Sequence, residues 1–241
     1  MSSNPESSTA GREAPPQCER CHKLAVLCVC DSIEPIKIRT SLLLLQHPQE
    51  QDKALGTARL TALHFQDAVL KIGLSWPSLS RALGRPVRDP SRWAVLYLGS
   101  VRVDRFNTDR AIVAINRNGQ MEADQRGALA DIEGVVLLDG TWSQAKALWW
   151  RNPWMLKCQR VVLAPGWTSR YGKLRKEPRR DGLATIEAAA IMLANLEGRP
   201  DIETTLLASF DGMLTKYQEV QARTPELAPG PRRRRNRRQR A

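Results

Sequence analysis

Short apolar runs that do not alternate with polar residues constrain the fold of this chain more than any other feature. They lie at residues 40–46, 93–98, 111–115, 135–138 and 160–163. A strand turns successive side chains to opposite faces, so a run that is apolar throughout belongs to a sheet covered on both sides. The segments between the runs can be helical. The expected fold class is therefore α/β, a mostly parallel sheet with helices on both faces. With 241 residues, 42% of them hydrophobic, the chain can bury such a core in one large domain with a small appendage. No run approaches the roughly 20 apolar residues of a membrane helix, and residues 2–16 are small, polar and proline-bearing rather than signal-like. A soluble, cytoplasmic protein with no membrane partner is expected.

Two helices close the ordered part. Leu183, Ile186, Ala190 and Leu193 recur at helical spacing, as do Ile202, Leu206, Phe210, Met213, Leu214 and Tyr217. Both read as packing helices. Between the last strand and the first of these helices, residues 169–180 carry six cations against one carboxylate and include Gly172 and Pro178, which mark a loop.

Four of the five cysteines crowd together as Cys18-x-x-Cys21 and Cys28-x-Cys30. Short turns of this kind aim paired sulfurs at one side of the backbone, where four thiolates saturate a tetrahedral zinc and leave no open coordination position. The expectation is a structural Zn2+ in a small N-terminal ribbon spanning 17–33. A redox pair made of Cys18 and Cys21 alone would leave Cys28 and Cys30 without a role.

The net charge is +12, but seven arginines fall between 232 and 240, after Pro225, Pro229 and Pro231; without those seven the remainder keeps +5. Such a tail cannot build a core, so residues 224–241 are expected to be disordered, as are residues 1–16. The tail reads either as sequence-blind attraction to phosphate or as a localisation signal.

Candidate chemistry gathers at two strand ends. The run at 134–138 ends on Asp139, turns through Gly140 and opens a helix at Thr141 and Trp142. In an open α/β sheet this is where ligands sit, although Asp139 is equally read as a helix cap. The run at 40–46 ends on Gln46, His47 and Glu50, with Pro48 marking a loop. His47 serves there either in the turn or in chemistry, while His64, on a helix, reads as packing. Trp149, Trp150 and Trp154 read as core. No G-x-x-x-x-G-K-[ST], G-x-G-x-x-G or G-x-S-x-G pattern occurs, which leaves P-loop, dinucleotide and serine-hydrolase readings without their carriers. A basic loop beside an acid and aromatic rings suits a polyanion presenting a planar base.

In order, the cysteine knuckle, Gln46-His47-Pro48-x-Glu50 with Gly56-Thr57-Ala58-Arg59-Leu60, Asp139-x-Thr141-Trp142 with Ala145-Lys146, Tyr171-x-x-Leu174-Arg175, and Thr185-Ile186-Glu187-Ala188 resemble the DTW-domain family. The match covers about residues 18–217. The resemblance implies a tRNA-uridine aminocarboxypropyltransferase, which moves the 3-amino-3-carboxypropyl group of S-adenosylmethionine to N3 of a tRNA uridine. It also implies a SPOUT-like domain over 34–223 with a C-terminal trefoil knot. Carried onto this chain, the catalytic candidates are Asp139, Trp142, His47 and Glu50, with Asp139 as the base. Cofactor candidates are Leu98, Gly99, Ser100, Gly140, Thr141, Leu183 and Thr185, with Arg175 for the cofactor carboxylate or an RNA phosphate. RNA candidates are Arg59, Lys146, Arg170, Lys173, Lys176, Arg179 and Arg180. The expected partners are tRNA and S-adenosylmethionine, and the expected state is a monomer. Two alternatives stay open: a SPOUT-type RNA methyltransferase using the same cofactor, and a zinc-containing RNA-binding protein without chemistry.

Overall fold

The computed structural model describes residues 16–97, 106, 108–172, 174 and 182–223. Residues 1–15 and 224–241, and the candidates Leu98, Gly99, Ser100, Lys173, Arg175, Lys176, Arg179 and Arg180, lie outside the described residues. In chain order the elements are β1 (Ser41–Gln46), α1 (Ala58–Leu63), β2 (Val69–Ile72), α2 (Leu79–Leu83), β3 (Trp93–Leu96), β4 (Ile112–Ile115), α3 (Gln125–Ala130), β5 (Gly134–Asp139), α4 (Trp142–Arg151), β6 (Gln159–Leu163), α5 (Thr185–Glu197) and α6 (Pro200–Arg223). The six strands form one sheet in the order β2-β1-β5-β3-β6-β4. All neighbours are parallel except β4, which runs antiparallel to β6 at the edge.

The apolar runs divide between two cores as a covered strand requires. Leu42, Leu44, Val135 and Leu137 face one side and pack with α1, α5 and α6. Leu43, Leu45 and Val136 face the other, against α2 and the short 3-10 helix Pro153–Lys157, with Trp149 of α4 and Leu138 at the margin. At the start of β5 the backbone must approach the facing strand closely: a Cβ on Gly134 would lie 2.6 Å from the Trp93 ring. Among the described residues, no helix is long and apolar enough to cross a membrane.

Two elements depart from the sequence expectation. β2 was not legible because it is only half-buried and is broken by Lys71, so no continuous apolar run marks it. The run at 111–115 is fully apolar like its neighbours, yet β4 is the antiparallel edge. Its direction is seen only in its pairing with β6, which composition does not encode.

His64 closes α1 onto α6. It is fully buried, with Nδ1 2.9 Å from the Leu60 carbonyl and Nε2 2.8 Å from the Ser209 hydroxyl. These partners assign a neutral ring whose Nδ1–H donates to Leu60 and whose Nε2 accepts from Ser209. Burial holds its pKa below the ordinary 6.5. Below that value the unfolded chain takes up a proton that the native ring refuses. The stabilisation is therefore present above pH 6.5 and is lost as pH falls, by up to about 1.4 kcal/mol per pH unit. Thermal melts of the wild type and His64→Gln between pH 7.5 and 5 should show their difference shrinking with acidification; a constant difference would count against this assignment.

Candidate functional site

The crevice lies where β1 and β5 end. They are neighbours, and the helices that follow them cover opposite faces, α1 over one core and α4 over the other. Connections leaving in opposite directions open a gap at the carboxyl ends, the usual ligand position of such sheets. The strand register pairs Gln46 with Asp139 at that point. Gln46 Nε2 donates to Asp139 Oδ2 at 2.8 Å, and the Thr185 hydroxyl, from the first residue of α5, donates to Asp139 Oδ1 at 2.5 Å. Asp139 is 7% exposed, so its carboxylate stands fixed at the rim of the sheet with lone pairs remaining on both oxygens.

Asp139 is not the cap of α4. That role belongs to Thr141, whose side chain accepts from Gln144 N while Gln144 Oε1 accepts from Thr141 N, a reciprocal capping box. Gln144 also donates to Gln49 Oε1 at 3.1 Å, tying α4 to the loop after β1. The turn leaves no room at Gly140, where a Cβ would lie 2.8 Å from the Gln144 Cβ. His47 uses Nδ1 to accept from Gln49 N at 3.3 Å, and its backbone N–H donates to the Asp139 carbonyl at 2.9 Å. It is half-buried, and Glu50 is buried one 3-10 turn further on.

A second layer positions the first. Thr57, fully buried, accepts the N–H of Ile186 on its hydroxyl and so fixes the start of α5 beside Thr185. Buried Glu187 accepts from Ala184 N at 2.6 Å, Arg170 N at 2.7 Å and the Ser169 hydroxyl at 3.0 Å, joining the helix start to the loop after β6. Burial raises its pKa against the pull of those donors. Tyr171 is buried edge-on against Phe210, and its hydroxyl donates to the Leu55 carbonyl.

The cysteine knuckle reaches the same place. The four Sγ atoms lie within 4.8 Å of one another. Cys18 and Cys30 are 3.9 Å apart, too far for a disulfide of about 2.05 Å and close to the edge of a zinc tetrahedron with bonds of about 2.3 Å. Backbone N–H donors, Cys21's above all, hold the Cys18 thiol down to about 6, while burial pushes those of Cys21 and Cys30 up. The donor set fits a divalent cation that replaces thiol protons. Leu27 and Ile33 join the core under α6. Lys23, 8% exposed, donates from Nζ to the carbonyls of Ala54 and Gly56 at 2.7 Å each, next to Thr57. Burial brings its ammonium down to about 8, against the opposing pull of Cys21 and Asp139.

The structure thus brings together Asp139, His47, Glu50, Gly140, Thr141, Trp142 and Thr185, and sets Cys18, Cys21, Cys28 and Cys30 in one cluster. Leu183 is half-buried against the core. Lys146 is exposed on α4, Arg59 is half-buried on α1, and Arg170 is exposed with an ion pair to Asp211 at 2.5 Å. Lys23, Thr57 and Glu187 are site-building residues that a search for catalytic types passes over. Thr57 and Glu187 lay inside the motifs that carry the family resemblance, whereas Lys23 did not. The rim offers carboxylates, a carboxamide and hydroxyls, a set that can hold a small polar ligand.

A family model described as the DTW domain matches residues 15–218. The chain is similar to tRNA-uridine aminocarboxypropyltransferase 2 of Drosophila melanogaster, with 29% identity over 207 residues covering 84% of this chain and 74% of that protein. The proteins of the same name from Macaca fascicularis and Mus musculus are each 29% identical, over 80% and 81% of this chain and 60% and 61% of their own lengths. The chain thus spans about three fifths of the macaque and mouse relatives. No solved structure matches it.

Two outcomes follow from this geometry. Gly140→Ala should destabilise the fold by about 1–3 kcal/mol, read as a lower urea midpoint, because the added methyl meets the Gln144 stem. Metal analysis of protein purified under reducing, chelator-free conditions should find one bound zinc, lost together with thermal stability in Cys30→Ser. Metal-free wild-type protein would overturn the second.

Proposed function

Since the chain belongs to the DTW domain family, we propose that it transfers a 3-amino-3-carboxypropyl group from S-adenosylmethionine to N3 of a tRNA uridine. The observation that carries the reading is Asp139, held at the β1/β5 crevice by Gln46 and Thr185 instead of capping a helix. When bound, S-adenosylmethionine supplies a carbon activated by the sulfonium, which departs as a neutral thioether. Gly140, Thr141, Leu183 and Thr185 would hold it, together with Leu98, Gly99 and Ser100, which follow β3 in the sequence, and Arg175 for its carboxylate or an RNA phosphate.

Asp139 takes the N3 proton as the N3–carbon bond forms, a transfer for which a fixed carboxylate is suited. Gln46 and Thr185 aim it; Trp142, at the first turn of α4, flanks the base; His47 and Glu50 close the opposite lip. Arg59, Lys146, Arg170, Lys173, Lys176, Arg179 and Arg180 meet RNA phosphates. Cys18, Cys21, Cys28 and Cys30 would hold a zinc that fixes that segment in place, and four thiolates would leave it no open position for chemistry. The reading includes a SPOUT-type arrangement of 34–223 with a C-terminal trefoil knot, and the parallel adjacency of β5 and β3, which cofactor candidates follow in the sequence, supports it.

Unmodified tRNA incubated with carboxyl-labelled S-adenosylmethionine should become labelled, whereas methyl transfer would leave the label behind. In Asp139→Asn the amide can still pair with Gln46 after a side-chain flip, but it cannot take a proton. Single-turnover transfer should fall by about 10²–10⁴-fold while the melting temperature stays close to wild type. Retained activity would remove Asp139 from the chemistry.

A further inference from the structure

α4 leaves the crevice with an outward face that the core does not use. Ala145 and Leu148 are buried, whereas Ser143, Lys146 and Trp150 recur at spacings of three and four along the solvent side. Trp150 is 77% exposed, more than any other large apolar side chain among the described residues. Beside it, half-buried Trp149 meets Tyr97 edge-to-face at 5.2 Å, and the Arg160 guanidinium lies 5.1 Å from the Tyr97 ring and 5.7 Å from that of Trp149. α4 itself carries Lys146 and Arg151 and no Asp or Glu.

We infer that this face is a stacking platform for an unpaired nucleotide of the RNA substrate, with Trp150 under the base and Lys146 beside its phosphate. The inference rests on the RNA-modifying reading above and adds where the strand lies. N3 of uridine is on the Watson–Crick edge, so pairing hides it and the reacting nucleotide must leave its helix. Its neighbours then lose a stacking partner, and an exposed indole replaces it at any base. From Trp142 to Trp150 the helix rises about 12 Å. That is the length of about three stacked nucleotides at ~3.4 Å each, so the platform serves residues close to the target. The acid-free helix, with Lys146 and Arg151, supplies the charge complementarity that a polyanion requires.

The test is anisotropy of labelled unmodified tRNA and of a uridine oligonucleotide, titrated with the full chain over a range of salt. Trp150→Ala should weaken both by about tenfold with an unchanged salt slope, and Trp150→Phe should recover most of the loss. Lys146→Ala should instead flatten the salt slope by about one phosphate contact. Trp150 is solvent-facing, so all three variants should melt with the wild type. Quenching of tryptophan emission by the oligonucleotide, reduced in Trp150→Ala, gives a readout independent of affinity. Undiminished affinity and quenching in Trp150→Ala would overturn the platform while leaving the RNA reading intact. Absence of tRNA binding by the wild type would overturn the RNA reading itself. A dimer that Trp150→Ala dissociates would assign the face to a second copy of this chain instead.

Discussion

The pairing of β1 with β5 is the constraint on which the rest of the molecule depends. Six consecutive residues run in register from Ser41 and Gly134 to Gln46 and Asp139, and both strands are apolar on both faces. A strand buried on both sides offers polar chemistry only at its ends, because a polar group within it would lose water without a compensating partner. Register then decides which end groups meet. A slip of one residue would turn each leucine to the wrong core and part Gln46 from Asp139. The same packing that makes the centre of the sheet stable therefore sets the carboxylate at the crevice.

The crevice is completed by segments far away in the chain. Thr185 arrives on α5 and Thr57 precedes α1, while Lys23 comes from among the cysteines. A continuous set of contacts leads from the thiol cluster through Lys23 to the carbonyls of Ala54 and Gly56, then from Thr57 to the start of α5 and on to Asp139. The knuckle has little core of its own and docks through Leu27 and Ile33 beneath α6. The thiol cluster, helix docking and site geometry are thus parts of one packed unit. Glu187 extends it by joining the start of α5 to the loop after β6 with a single buried carboxylate.

Much of this was legible from residue types. The undivided apolar runs announced a covered sheet, and five of its six strands lie where they fall. The thiol spacing announced the cluster, because C-x-x-C and C-x-C fix local geometry within a few residues. The cap of α4 stayed open in the sequence. Both Asp139 and Thr141 are cap formers by composition, and only the capping box with Gln144 shows that Thr141 does this, releasing Asp139. Trp150 was misread for a similar reason. In Trp149-Trp150 two identical side chains stand 100° apart on one helix, and the position of the core decides which is covered. Lys23 gave no signal, since a lysine between closely spaced cysteines is ordinarily a solvated surface group.

The sequence by itself determined the local properties: where the covered strands and the two closing helices run, where thiols cluster, where charge accumulates, and the order of motifs that marks the family. These follow from side-chain periodicity and short-range geometry, which act within a few residues. Tertiary structure alone decided the rest. The edge position and direction of β4, the half-buried β2, the hydrogen bonds of Gln46 and Thr185 to Asp139, and the reach of Lys23 to the 54–57 loop all join residues far apart in the chain. Such partners are chosen by the packing of whole elements against a shared core, and no local pattern carries that information.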